Sequence, residues 1–406
     1  MNYKLSKLAV LVAATVGISN TAFALDPQSI QVTDGVQFTP TLRLAERHDD
    51  NIYATKKNRK SSWITQLQPS FTLSLDQAKS AYQLQYSAER NIYHSSHSDD
   101  HTNHHLTGAA GFEFNSKNRL VLDAGYHKME DTASDNDFYR NDKWNTKNLG
   151  GVYTFGARTA RTQVELAANY EELRYDNNSR LNGERVNKDK ERDTSRFGVT
   201  GYYQVAPKTK ALLEARYADY DYKSNKSRDS DNKALLAGVT WEATAKTTGT
   251  VKVGREKKSY DKSVYKDKSM NMWEAAVAWA PRTYSTLDFK LRRGFDEGDN
   301  YYDYNTDDLN IDEHVSSSIK TTAYHVGWNH KWLDRLSTKM HYTHTDRKYQ
   351  QISRDDKINQ YGIGVNYEMR RWLDVGLGYT HRDNDSNISS RDYKRNIYAL
   401  TFNASL

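Results

Sequence analysis

Five histidines crowd one stretch of the chain, His94, His97, His101, His104 and His105. A neutral imidazole is a common metal ligand, and three in one loop could hold a zinc or copper ion. Their spacing follows no standard site and the stretch reads as a solvated loop, so no metal is expected. Carboxylates are the other candidates. Asp49-Asp50, Asp99-Asp100, Asp307-Asp308 and Asp355-Asp356 are paired, as acid–base chemistry would require. All lie in loops thick with Lys, Asn and Ser, where solvation is the simpler role. There is no G-x-S-x-G elbow and no H-E-x-x-H helix motif. The absence of cysteine excludes thiol nucleophiles, disulfides and thiolate metal sites. No catalytic residue and no cofactor are expected, and the chain reads as a non-enzyme.

A different set of polar residues remains once catalysis is set aside. Gln83, Gln85, Glu165, Asn169, Glu214, Arg216, Asp288, Lys290, Arg292, His341 and Asp374 each alternate with apolar neighbours. Such residues could line a hydrated conduit, offering hydrogen bonds and both signs of charge. Rings of one sign would mark a strongly selective ion channel, whereas this mixture suits a neutral or zwitterionic hydrophilic solute.

The elements that must position these residues are strands. Tyr398, Leu400, Phe402, Ala404 and Leu406 share one parity, with Thr401, Asn403 and Ser405 on the other. Leu373, Val375, Leu377 and Tyr379 repeat the scheme against Asp374, Gly376, Gly378 and Thr380. Successive side chains on a strand point to opposite faces, so each segment has an apolar and a polar side. Segments of this kind recur about eighteen times, at the length a membrane requires. Tight turns are expected around residues 76–79, 115–118, 157–160, 207–208, 245–247, 281–282, 331–334 and 370–371. Long polar loops are expected near 93–103, 129–143, 174–194, 221–232, 256–268, 293–315, 346–357 and 382–393. Short turns at one end and long loops at the other define an all-β, transmembrane antiparallel β-barrel, with periplasmic turns and extracellular loops. Pro40 and Pro69 fall inside the first two strands, where a missing donor predicts a bulge or weakened pairing.

Composition agrees with this. Mean hydropathy is −0.92, which excludes a bundle of membrane helices but not a barrel, whose strands expose only every second residue to lipid. Lys4 and Lys7, the apolar stretch 8–18 and Ala22-Phe23-Ala24 read as a cleaved signal peptide over residues 1–24. Residues 25–34 are then a loosely held periplasmic leader, and 35–406 the outer-membrane barrel. The formal charge of +6 becomes +4 once Lys4 and Lys7 leave, too little to suggest nucleic acid. The chain's 29 tyrosines suit membrane interfaces and sugar-binding surfaces.

Four motifs cluster early: Thr39-Pro40-Thr41-Leu42, Asp49-Asp50-Asn51-Ile52-Tyr53, Gln68-Pro69-Ser70-Phe71 and Tyr82-Gln83-Leu84-Gln85-Tyr86. In these the chain resembles the VpsM-like outer-membrane proteins, the β-barrel porins of exopolysaccharide and capsule gene clusters. The resemblance covers about the first hundred residues. It departs at the end, where Leu406 stands in place of a terminal aromatic. The resemblance implies export of a secreted exopolysaccharide or capsular polysaccharide, working with periplasmic polysaccharide-export and inner-membrane co-polymerase proteins. Outer-membrane lipid and lipopolysaccharide are the other expected partners. A general or oligosaccharide-uptake porin is the alternative, and an outer-membrane hydrolase or adhesin the distant one.

Overall fold

The computed structural model describes residues 27–132, 141–176, 180–181, 184–244, 246–298 and 316–405. The expected signal peptide lies outside them. In chain order the strands are β1 (Ile30–Thr33), β2 (Val36–Asp49), β3 (Ser62–Asp76), β4 (Ser80–Tyr93), β5 (His101–Asn115), β6 (Asn118–Asp131) and β7 (Asp142–Phe155). There follow β8 (Thr162–Tyr175), the two-residue β9 (Arg180–Leu181) and β10 (Glu184–Arg185), β11 (Arg192–Ala206), β12 (Thr209–Tyr222), β13 (Ser230–Thr244) and β14 (Thr247–Tyr260). The last are β15 (Lys268–Arg282), β16 (Ser285–Glu297), β17 (Ser318–Leu333), β18 (Leu336–Tyr349), β19 (Asp355–Arg370), β20 (Leu373–Ser386) and β21 (Tyr393–Ser405).

Every long strand pairs antiparallel with the next, and β2 pairs with β21, so the sheet closes. The sheet has 19 strands; without the short leader strand β1 it is a closed barrel of 18. Closure follows from the solvent. Backbone groups in lipid have no water to bond, so an open edge there would strand a row of donors and acceptors.

Parity follows the alternation. Leu42, Leu44, Leu122, Tyr126, Val164, Leu166, Val199, Val253, Trp279, Phe289, Tyr367 and Leu377 are all exposed on the apolar face. Trp273, Val277, Leu291 and Phe402 share it, because they pair with Val253, Phe289, Tyr324 and Leu44. The opposite face is concave. Contacts such as Tyr222 Oη to Glu297, which join β12 to β16 across three intervening strands, can form only inside the barrel.

Several details differ from the sequence expectations. The leader is not simply loose: β1 turns back through Gly35, at φ +76°, and pairs with the start of β2. It occupies the edge of β2 that β21 leaves free, since that ladder ends at Thr41–Ser405. Pro40 lies just beyond that end, so its missing donor costs no ladder bond there. Neither proline makes a bulge, since Pro40–Phe71 and Leu42–Pro69 stay in register, but the β3–β4 ladder skips Gln68 and Pro69, the weakened pairing expected of Pro69. The turn expected at 281–282 falls at 283–284, because Pro281 sits in a bulge between Trp279 and Arg282, where no donor is needed. The turns expected at 331–334 and 370–371 close likewise at 334–335 and 371–372.

The polar loops are also shorter than their composition suggests, because strands run up into them. His101, His104 and His105 belong to β5 and not to a loop. The acidic pairs are not simply solvated. Asp49, Asp99 and Asp356 are buried. Asp356 accepts bonds from Arg354 and Ser386, and Asp99 from Tyr53 at 2.7 Å. Burial, with Asp99 adding to it, raises the Tyr53 phenol above its ordinary value. Asp307-Asp308 lie outside the described residues. A recurrent closure emerges instead: the amide of a strand-ending tyrosine donates to an aspartate seven residues on. It joins Tyr93 to Asp100 at 2.6 Å, Tyr222 to Asp229 at 2.7 Å and Tyr260 to Asp267 at 3.2 Å. The carboxylate satisfies a donor that the ladder has abandoned.

Candidate functional site

The inner face is the candidate site, and its two sides differ. On β12 the alternation puts Glu214 and Arg216 inward. The same rule puts Lys252 of β14 and Glu274 of β15 on that face, two and three strands away. The four side chains meet. Arg216 lies 2.5 Å from Glu214 and 2.6 Å from Glu274, while Lys252 lies 3.0 Å from Glu214 and 2.7 Å from Glu274. Leu236, opposite Glu214 in the ladder, is fully buried, as small Gly238 and Ala234 let the long chains lie across β13. Two cations and two carboxylates in this arrangement neutralise each other.

Further up the same side, Lys258 is 0% exposed. Its ammonium donates to Glu297 at 2.7 Å and lies 4.3 Å from the centre of the Tyr220 ring. Tyr222, also 0% exposed, donates to the same Glu297. β16 can deliver Glu297 because it parts from β15 above Trp273–Arg293. Its Phe295 amide then donates to Glu256 of β14 at 2.9 Å. This side of the barrel is therefore cross-linked through its side chains as well as its backbone.

The residues expected to line a lumen all fall on the inner face, with varied company. Gln85 donates to Ser70 at 3.1 Å, and Gln83 shares its row with Asp123 and Asn169. Glu165 accepts from Tyr202 at 2.7 Å, and Asn169 from Arg196 at 3.1 Å. Asp288, Lys290 and Arg292 line up along β16 but do not pair with one another. Asp288 meets His325 at 3.1 Å and Arg292 meets Asp296 at 2.5 Å. His341 stacks on His325 at 6.1 Å and lies flat over Gly362, where an added Cβ would stand 2.0 Å from the ring. Asp374 is buried and accepts from Asn366 at 3.1 Å. The histidines divide: His104 faces outward beside Tyr86, and His105 meets His127 inside at 2.9 Å. Among the described residues no group of three could hold a metal.

The seam between β2 and β21 was legible as motifs but not as a device. Asp50 accepts from both the amide and the side chain of Asn396, at 2.7 and 2.6 Å. Asp49 accepts from Arg395 at 2.8 Å, and Asn51 donates to the Lys394 carbonyl at 2.9 Å. Asn51 also organises its own loop, accepting from the Thr55 amide at 3.0 Å. Ile52 turns in to pack with Ile64 and Tyr93. Consecutive residues Asp49 to Asn51 thus clasp the first strand to the last. Below this clasp, Arg43 and Arg47 of β2 face inward onto the amides Gln66 and Asn91. Sequence parity puts these two arginines on the inner face, yet nothing in it says they lack carboxylate partners.

Comparison with known proteins agrees with this architecture. OccK2 (OpdF) of Pseudomonas aeruginosa superposes with a TM-score of 0.51 at 12% identity, over 92% of this chain and 98% of that one. The FrpB iron transporter of Neisseria meningitidis gives 0.50 at 10% identity, over 91% and 81%. At such identities the likeness is one of fold. No curated protein matches the chain. The family is settled by sequence: over residues 36–405, the whole barrel, the chain matches and belongs to the Putative beta-barrel porin 2 family of the outer membrane.

Proposed function

We propose that the protein is a passive outer-membrane channel for hydrophilic solutes, serving uptake of small polar molecules and oligosaccharides. The observation that carries this is the way the inner charges are held. They pair sideways along the wall, over glycine and alanine, rather than across the barrel. Arg216 and Lys252 lie over β13, and His341 over Gly362. A barrel of this strand number is wide enough for an aqueous path, and side chains laid flat preserve that width. Membership of a porin family supports the same reading. The channel needs no nucleotide and no covalent step. Single-channel recording in a planar bilayer, with liposome swelling in sugars of increasing size, tests it: stepwise conductance and a size cut-off are expected. A purified, folded protein that passes neither ions nor monosaccharides would overturn it.

Export of a secreted polysaccharide is the second reading, favoured by the motifs between Thr39 and Tyr86. In the structure these motifs serve the seam and the register of β2, β3 and β4, so they argue for a shared barrel more than a shared cargo. Neighbouring genes for glycosyltransferases and a co-polymerase, and loss of surface matrix on deletion, would promote export over uptake.

A further inference from the structure

The inner face neutralises some of its cations with carboxylates and holds others on neutral groups. On β12 and β14 the cations Arg216, Lys252 and Lys258 each have a carboxylate within 3 Å, while Lys210 of β12 is held by the Gln163 amide. On β2, Arg43 donates to the Gln66 Oε1 at 3.0 Å and Arg47 to the Asn91 Oδ1 at 3.2 Å, both neutral amides. Neither has a carboxylate within 4 Å, and the Nε of Arg47 is buried with no partner. The two nearby carboxylates are engaged elsewhere. Glu89 acts on Arg43 only through space and accepts from Asn91 at 2.9 Å, while Asp49 is taken by Arg395. Asp374, two strands along the row from Arg43, is bound by Asn366.

A guanidinium carries five donors in a planar fork. Holding one edge on an amide leaves the rest oriented and unneutralised, the arrangement that captures a carboxylate through two parallel bonds. Four residues along one strand separate the two arginines by roughly 13 Å. Gln66 and Asn91 beneath them are buried and bonded to each other, so the amides hold the two guanidiniums in place.

We infer that the β2–β4 wall is a binding strip for carboxylate solutes such as sugar acids, with Arg43 and Arg47 taking the carboxylates. This deepens the channel reading and rests on it. It also revises the neutral or zwitterionic solute expected from composition, because the charges of Glu214, Arg216, Lys252 and Glu274 cancel and these two do not.

The test uses the full chain in liposomes, comparing entry of D-glucuronate with that of D-glucose. Wild-type protein should admit glucuronate about tenfold faster, the lower end of what a charge-assisted hydrogen bond supplies. Arg43→Gln with Arg47→Gln should bring that ratio to one or below, and the Arg→Lys pair should retain part of it. Heat-modifiable gel migration reports whether each variant is folded. If a variant fails to assemble, the wild-type ratio alone decides: a value of one overturns the strip. A folded double glutamine variant that keeps the wild-type ratio also overturns it. Failure of glucose to enter at all would overturn the channel itself, a separate result.

Discussion

The wall formed by β12 to β16 and the wall formed by β2 to β4 are built from the same kinds of residue and do opposite things with them. In the first, acid meets base across non-adjacent strands, and Lys258 and Glu297 are nearly or wholly removed from water. In the second, half-buried arginines meet amides and have no carboxylate beside them. The difference teaches that a polar lining is not by itself a selective one. Charges that satisfy each other stiffen the barrel, and only charges left over can act on a solute.

The comparison breaks most readily at Lys252. Replacing it with methionine leaves Glu214 and Glu274 sharing one cation over the buried Leu236. Removing one partner of a buried pair costs about 3–5 kcal/mol, and partial exposure of this quartet reduces that to roughly 2–3. The folded band should be lost at lower temperature or urea, and unchanged resistance would show that the network adds nothing. The clasp at the seam comes next. Asp50→Ala removes both bonds to Asn396 and should cost about 1–2 kcal/mol, with hydrogen exchange rising first at β21. Uniform exchange across the barrel would count against a local clasp.

Arg47→Gln sharpens the contrast from the other side. With no ion pair to lose, it should change stability by under about 1 kcal/mol while shifting the reversal potential in a salt gradient towards cations. A large loss of stability would mean that this arginine is as structural as Arg216. The smallest effect is expected at Gly362. An added methyl there would meet the His341 ring at 2.0 Å and push it off the wall. Gly362→Ala should therefore lower single-channel conductance modestly, leaving selectivity alone.

The sequence by itself determined the barrel. Period-two alternation is a local property of the backbone, so strand number, facing and the sorting of turns from loops could be read from neighbouring residues. Even the misplaced turns near Pro281 and Asp334 were off by only two or three residues, since bulges shift register without changing the number of hairpins. The inward-facing residues were legible for the same reason, as members of a face. The roles within that face were decided by tertiary structure. Glu274 stands 58 residues beyond Arg216 and Lys252 38 beyond Glu214, and each meets that partner only because intervening Ala234 and Gly238 let long side chains cross β13. Asp49, read as a solvated loop acid, is buried because β21, 346 residues later, brings Arg395 beside it. Which charges cancel and which remain depends on curvature and on strands distant in the chain, and pairwise distance across a closed barrel is written in no local pattern.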